Sequence, residues 1–147
     1  MTTPGTDTTD PFLDCQEQAS AWIKARPYFA GIPVLTADQG NVLESITTNL
    51  AKLGLCIIVE PSEPAFSYAG TKIHVDLPVV FTVWENVLMN RGSTGTRKRA
   101  SSVAMEIVRA FRPQTPAAPC VVTEASLRRD SGGECVYTVT ARRRFSE

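Results

Sequence analysis

The 147-residue chain has only one histidine, His74, and its four cysteines, Cys15, Cys56, Cys120 and Cys135, are scattered. No C-x₂-C pair occurs and His74 is far in sequence from every cysteine, so the ligand spacing of a zinc site is missing. No apolar run approaches the roughly 20 residues that a membrane-spanning helix needs, and membrane partners are not expected. Net charge is zero, which argues against a dedicated nucleic-acid binder. Residues 1–10 have neither a basic n-region nor an apolar h-region, so they read as a short flexible arm and not as a signal peptide. No low-complexity tract or internal repeat lies between the two ends.

What the chain does have is the length and composition of one ordinary domain, expected over residues 11–147. Its length suffices to bury about two thirds of the unfolded surface, and its apolar and charged fractions, 43% and 20%, are those of a globular protein. The charges are unevenly placed. Residues 1–70 hold three cations against eight acids, a balance of −5, and residues 71–147 hold twelve against seven, a balance of +5. Opposite potentials on one molecule can drive head-to-tail self-association; a chance split over a solvated surface is the alternative reading.

Periodicity gives the elements. Asp10-Pro11 reads as a cap followed by proline at the first helical position, and Phe12, Cys15, Ala19, Trp22 and Ile23 recur at helical spacing to about Arg26. Pro27 ends that helix. Ile32 to Leu35, broken by Pro33, predicts a short edge strand. Asp38 is placed to cap a second helix bearing Val42, Leu43, Ile46, Leu50 and Leu53 on one face, with Gly54 as its terminator. Leu55 to Val59 is the continuous apolar run of a strand covered on both faces, and Pro61 and Pro64 are read as closing it in a loop.

The longest strand candidate is Lys72 to Trp84, with Val79, Phe81 and Val83 on one side and Val80, Thr82 and Trp84 on the other. A third helix is expected from about Arg97 to Phe111, then a proline-rich linker over 112–119, then a hairpin of 120–129 and 134–144 turned at Ser131-Gly132-Gly133. In that hairpin Cys135 sits near the turn and Cys120 at the far end, so they are poor disulfide partners. The four thiols are expected to be free, as in a reducing compartment. The predicted fold is α+β, with helices on a mainly antiparallel sheet in the order α-β-α-β-β-α-β-β.

The most informative stretch joins the long strand to the third helix. After Glu85-Asn86 and Asn90-Arg91 comes Gly92-Ser-Thr-Gly-Thr-Arg-Lys-Arg99, with three consecutive cations at the start of a helix. A helix N-terminus carries about +0.5 charge, so basic side chains there are each disfavoured by about 0.3–1 kcal/mol. Something outside the helix is expected to use those cations. A phosphate-binding loop would need G-x-x-x-x-G-K-[ST], but Arg97 precedes Lys98 and Arg99 follows it, so the second glycine and the hydroxyl are missing. Glu85-Asn86, closing the strand, is expected to cap loop amides. His74 sits in a strand between Ile73 and Val75 with no catalytic signature around it. No catalytic, cofactor or metal residue is assigned, and the chain is read as a non-enzyme. Arg128-Arg129 and Arg142-Arg-Arg144 give the last hairpin its cations, but Tyr137 and Phe145 are the only rings nearby for stacking bases; charge that blunts an edge strand is the reading preferred.

Several of these residues together carry a family resemblance. Trp22 and Tyr28-Phe29 precede Ile32-Pro-Val-Leu35. Then follow Lys52-Leu-Gly-Leu-Cys-Ile57, the strand Val79 to Val83, and the segment Glu85-Asn86, Asn90-Arg91-Gly92, Gly95-Thr96 and Lys98. Over most of 12–145 this pattern resembles the small tail-terminator, or tail-completion, proteins of tailed bacteriophages. The triple cation Arg97-Lys98-Arg99 and the proline-rich linker depart from that pattern. The resemblance implies a virion protein, assembled in the host cytoplasm, that forms a ring, usually a hexamer, on the head-proximal end of the tail tube. There it would stop tube polymerisation and face the head-completion or neck protein, without chemistry or cofactor. Asn86, Asn90, Arg91, Arg97, Lys98 and Arg99 are then the expected contact residues toward a neighbouring subunit, the tail-tube protein or DNA in the lumen. A head–tail connector or neck stopper fits the same residues, and a small nucleic-acid-binding domain using the loop and the last hairpin is the alternative of another class.

Overall fold

One fifteen-residue strand organises the structure. The computed structural model of the chain describes residues 11–36, 42–91, 98–113, 118–129 and 134–147. Its elements are α1 (Pro11–Lys24), a 3-10 turn (Pro27–Phe29), β1 (Val34–Thr36), α2 (Val42–Lys52), β2 (Leu55–Pro61), β3 (Ala65–Ala69), β4 (Lys72–Asn86), α3 (Val87–Arg91), α4 (Ala100–Ala110), β5 (Val121–Arg129) and β6 (Glu134–Ser146). The long strand is β4. Alternate residues of a strand face opposite sides, and here both sides are apolar near its C-terminal end. Val79, Phe81 and Val83 join Leu55, Ile57 and Val59 of β2 under α1 and α4. Trp84 packs with Cys56 and Ile58 of β2 and Leu35 of β1 against Ile46 and Leu50 of α2. The helices therefore lie on two faces, as the apolar run in β2 requires. Phe81 also meets Phe111, at the end of α4, with ring centroids 5.1 Å apart.

The sheet has six strands in the order β1-β2-β4-β6-β5, with β3 also on β4. Every pair is antiparallel except β1 with β2. It is an α+β fold of the expected class, with the short N-terminal strand at an edge.

Two elements were not in the expected order. The segment after Pro61 is not only loop: Ala65–Ala69 forms β3 on the same side of β4 as β2. Pro61 pairs with Val79, and after the break Ala65 pairs with Asp76, one residue out of step. Thus β2 and β3 continue along the same side of β4 with one extra residue in the break between them, in the manner of a bulge. The chain turns back at Gly70-Thr71, where Gly70 takes the left-handed φ of +64°. The second addition is α3, one short helix between β4 and the polar loop. The third predicted helix also begins later than expected, at Ala100 and not near Arg97. The expected cap at Asp38 and the turn at Ser131-Gly132-Gly133 lie outside the described residues, as does the arm 1–10. Beyond that turn, β5 and β6 pair as expected, with Arg129 opposite Cys135.

The cysteines are free, and Cys15, Cys56 and Cys120 are buried. Burial pushes the Cys56 thiol up to about 12; burial and the neighbouring Cys15 do the same for Cys120. These thiols pack as small apolar groups.

Gly54 ends α2 and begins β2 with φ +74°, and its carbonyl accepts the Asn86 amide at 2.8 Å. A Cβ there would lie 2.2 Å from the backbone nitrogen of Asn90 in α3. Strain at positive φ and a clash with backbone then act together. Gly54→Ala is expected to destabilise the fold by about 2–4 kcal/mol, measured as a lowered urea midpoint. A midpoint equal to wild type would show that α3 does not sit against Gly54.

Candidate functional site

Two of the cations before α4, Lys98 and Arg99, have partners inside the fold. Glu85, near the end of β4, is buried on the α4 side of the sheet, with 2% of its surface exposed. A buried carboxylate needs counter-charge and donors, and three groups converge on it. Arg99 Nε donates to Glu85 Oε2 at 3.1 Å and sits 3.5 Å from Oε1. Asn90 Nδ2 donates to Oε2 at 2.7 Å, and the Ala100 backbone N–H donates to Oε1 at 3.3 Å. Asn90 Nδ2 also donates to the Lys98 carbonyl at 2.7 Å. One carboxylate thus serves as the N-terminal cap of α4 from a different element. No side chain of Arg99, the N-cap residue, makes that bond. An anion at a helix N-terminus is stabilised by the helix dipole, so Glu85 offsets the cost of placing Arg99 there.

Lys98 is held separately. Its ammonium donates to the Tyr28 carbonyl and lies 4.4 Å from the centroid of the Tyr28 ring, a cation–π contact. At the other side, Asn86 Oδ1 accepts the Met89 N–H at 3.3 Å and so caps α3. Glu85-Asn86 therefore does cap amides, with each residue serving a different helix. Trp22 of α1 closes the opposite end of α4, its Nε1 donating to the Ala110 carbonyl at 2.8 Å.

The structure brings Asn90, Lys98 and Arg99 together around Glu85 and Tyr28, with Asn86 next in sequence to Glu85. Asn90 is buried, Lys98 is half-buried and Arg99 keeps a 46%-exposed side chain. Arg91 is exposed at the end of α3, beside the exposed Leu88 and Met89. Arg97 lies outside the described residues. Glu85 is the residue that the sequence reading set apart as a cap but not as the partner of Arg99. The available signal was an acid closing an apolar strand directly before a basic helix start.

The three arginines of β6 in the last hairpin are engaged as well. Arg142 reaches Asp76 at 3.5 Å and Glu124 at 3.7 Å, Arg144 reaches Asp76 at 3.4 Å, and Arg143 donates to Gln18 of α1 at 3.0 Å. On the same sheet face, His74 Nδ1 and Ser146 Oγ are 2.6 Å apart beside a cleft of about 410 Å³. Asp76, the carboxylate that would orient such a histidine, has its Oδ2 on the two arginines, and the pair is exposed. The arrangement is a cross-strand hydrogen bond at a sheet end. What stands out instead is β3. All five of its residues are exposed, including Phe66 at 54% and Tyr68 at 74%.

No family model and no curated protein matches the sequence. Among solved structures 14 chains match. One is a chain of the virion of a native gene transfer agent particle, at TM-score 0.60 and 15% identity, over 90% of this chain and 94% of that one. The two chains share a fold.

Removing either member of the Glu85–Arg99 pair leaves buried polar groups without partners. Glu85→Ala strands the Asn90 amide and the Ala100 N–H, and is expected to cost about 2–4 kcal/mol. Arg99→Ala leaves the carboxylate two neutral donors and is expected to cost less, about 1–3 kcal/mol, because Arg99 is half in water. Urea unfolding of both variants checks the order; equal, negligible losses would show that the carboxylate is not a cap.

Proposed function

We propose that this chain is a structural protein of a tailed-phage-like particle, and specifically a tail terminator: a ring of copies on the head-proximal end of the tail tube that stops its growth and faces the neck. The observation that carries the reading is the fold shared with a virion chain over nearly the full length of both. The residue pattern of tail-terminator proteins read from the sequence agrees with it. So does the engagement of the conspicuous cations by Glu85, Tyr28, Asp76 and Glu124, which makes them parts of the scaffold and leaves fewer free for phosphates. Such a role asks for complementary surfaces and no chemistry. The partners are further copies of the chain, a tail-tube protein and a head-completion or neck protein. Among the contact residues, Arg91 and Arg97 are the proposed probes of the loop surface, since reversing Lys98 or Arg99 would disturb Tyr28 or Glu85.

Purified chain added to polymerising tail-tube protein is expected to halt growth, with a ring at one tube end in electron micrographs. Arg91→Glu combined with Arg97→Glu is expected to lower capping at least tenfold with an unchanged thermal melt. Tubes that grow to the same lengths with and without the wild-type chain would overturn the reading. Full capping by the double variant would remove the loop from the contact.

A further inference from the structure

The sheet has an edge that lacks the usual protection. Natural edge strands are kept from pairing by charge, proline or shortness. β1 is three residues long and follows Pro33, and β5 carries Glu124, Arg128 and Arg129. β3 is Ala-Phe-Ser-Tyr-Ala, with no charge and no proline. Its backbone is turned outward at two residues. Ile73 of β4 exchanges both of its backbone hydrogen bonds with Glu147, each at 2.8 Å, on the side away from β3. Tyr68, paired with Ile73, is therefore at a non-hydrogen-bonded position, and so is Phe66, two residues back and paired with Val75. The N–H and C=O groups of Phe66 and Tyr68 point away from β4, and no described strand pairs with them. Two large exposed rings flank these free groups. This combination suits the addition of another strand.

The strand that fits is on the opposite edge of the same sheet. Among the described residues β5 pairs only with β6, on its inner side. Following the antiparallel pairs β3–β4, β4–β6 and β6–β5, β5 runs opposite to β3. A second copy moved sideways without inversion thus presents its β5 antiparallel to β3. Charge selects the same arrangement. Residues 55–69 contain Glu60 and Glu63 and no cation, both acids preceding β3, while β5 ends in Arg128 and Arg129. Antiparallel pairing brings the start of β3 beside the end of β5. The −5 and +5 halves of the sequence are likewise divided across the sheet, with β1, β2 and β3 on one edge and β6 and β5 on the other.

We propose that β3 of one copy pairs antiparallel with β5 of the next, joining the sheets of successive copies. Because the two edges are different surfaces, the contact is heterologous and generates a ring when the rotation closes. The proposal rests on the reading of this chain as a self-assembling ring protein and names the surfaces by which the copies meet.

Sedimentation velocity of the full chain tests it, with circular dichroism as the control for folding. The wild type is expected to sediment as a discrete oligomer. Phe66→Lys with Tyr68→Lys, both on exposed positions, is expected to raise the dissociation constant at least tenfold, as is Glu60→Arg with Glu63→Arg. Adding Arg128→Glu and Arg129→Glu to the latter is expected to restore the oligomer. Rings of wild type that persist in both single-edge variants, or a charge swap that restores nothing, overturn the edge pairing while leaving the ring reading intact. A wild type that stays monomeric at every concentration and never binds tube ends removes the ring reading, and the edge pairing with it.

Discussion

The buried carboxylate of Glu85 holds together the elements on which the rest of the structure depends. It sits where β4 ends, faces the first turn of α4, and receives Arg99, Asn90 and the Ala100 amide. Through Asn90 it reaches α3 and the Lys98 carbonyl, and α3 in turn lies against Gly54 at the junction of α2 and β2. A single acidic side chain thus ties α3 and α4 to the central strand. An unpaired carboxylate in this position would be too costly to bury. Its donors are therefore a condition of the fold, and the cation at position 99 follows from that requirement.

This changes which parts of the molecule are left to meet partners. Arg99 and Lys98 are occupied by Glu85 and Tyr28, and Arg142 and Arg144 by Asp76 and Glu124. The large apolar side chains exposed among the described residues are of another kind: Phe66 and Tyr68 on β3, Leu88 and Met89 on α3, Leu43 on α2, Met105 on α4 and Leu13 on α1. A protein whose work is assembly needs such surfaces more than it needs reactive groups. The likeness in fold to a virion chain stands beside that distribution of surfaces, and the proposed ring draws on both.

Much of the core was legible in the sequence because it is written in alternation. Val79, Phe81 and Val83 opposite Val80, Thr82 and Trp84 announced a strand with two different faces, and Leu55 to Val59 announced one covered on both. Gly54 as a helix terminator was legible from its position. β3 was not, because five exposed residues carry no burial pattern and two nearby prolines signal a break; only its pairing with β4 makes it a strand. The expected start of α4 was early by about three residues for a related reason. Where the helix begins is set by a cap fifteen residues upstream in β4, and the pairing of Glu85 with Arg99 is a tertiary fact that local propensity does not encode.

First-turn amides of a helix have no partner within it and ordinarily exchange quickly with solvent. The Ala100 amide is different, being buried and bonded to Glu85. Hydrogen exchange at that one amide, read by NMR in the wild-type protein, tests the role given to Glu85. The account predicts exchange as slow as in the central strand β4, through global unfolding only. Exchange at the rate of an exposed loop would contradict it.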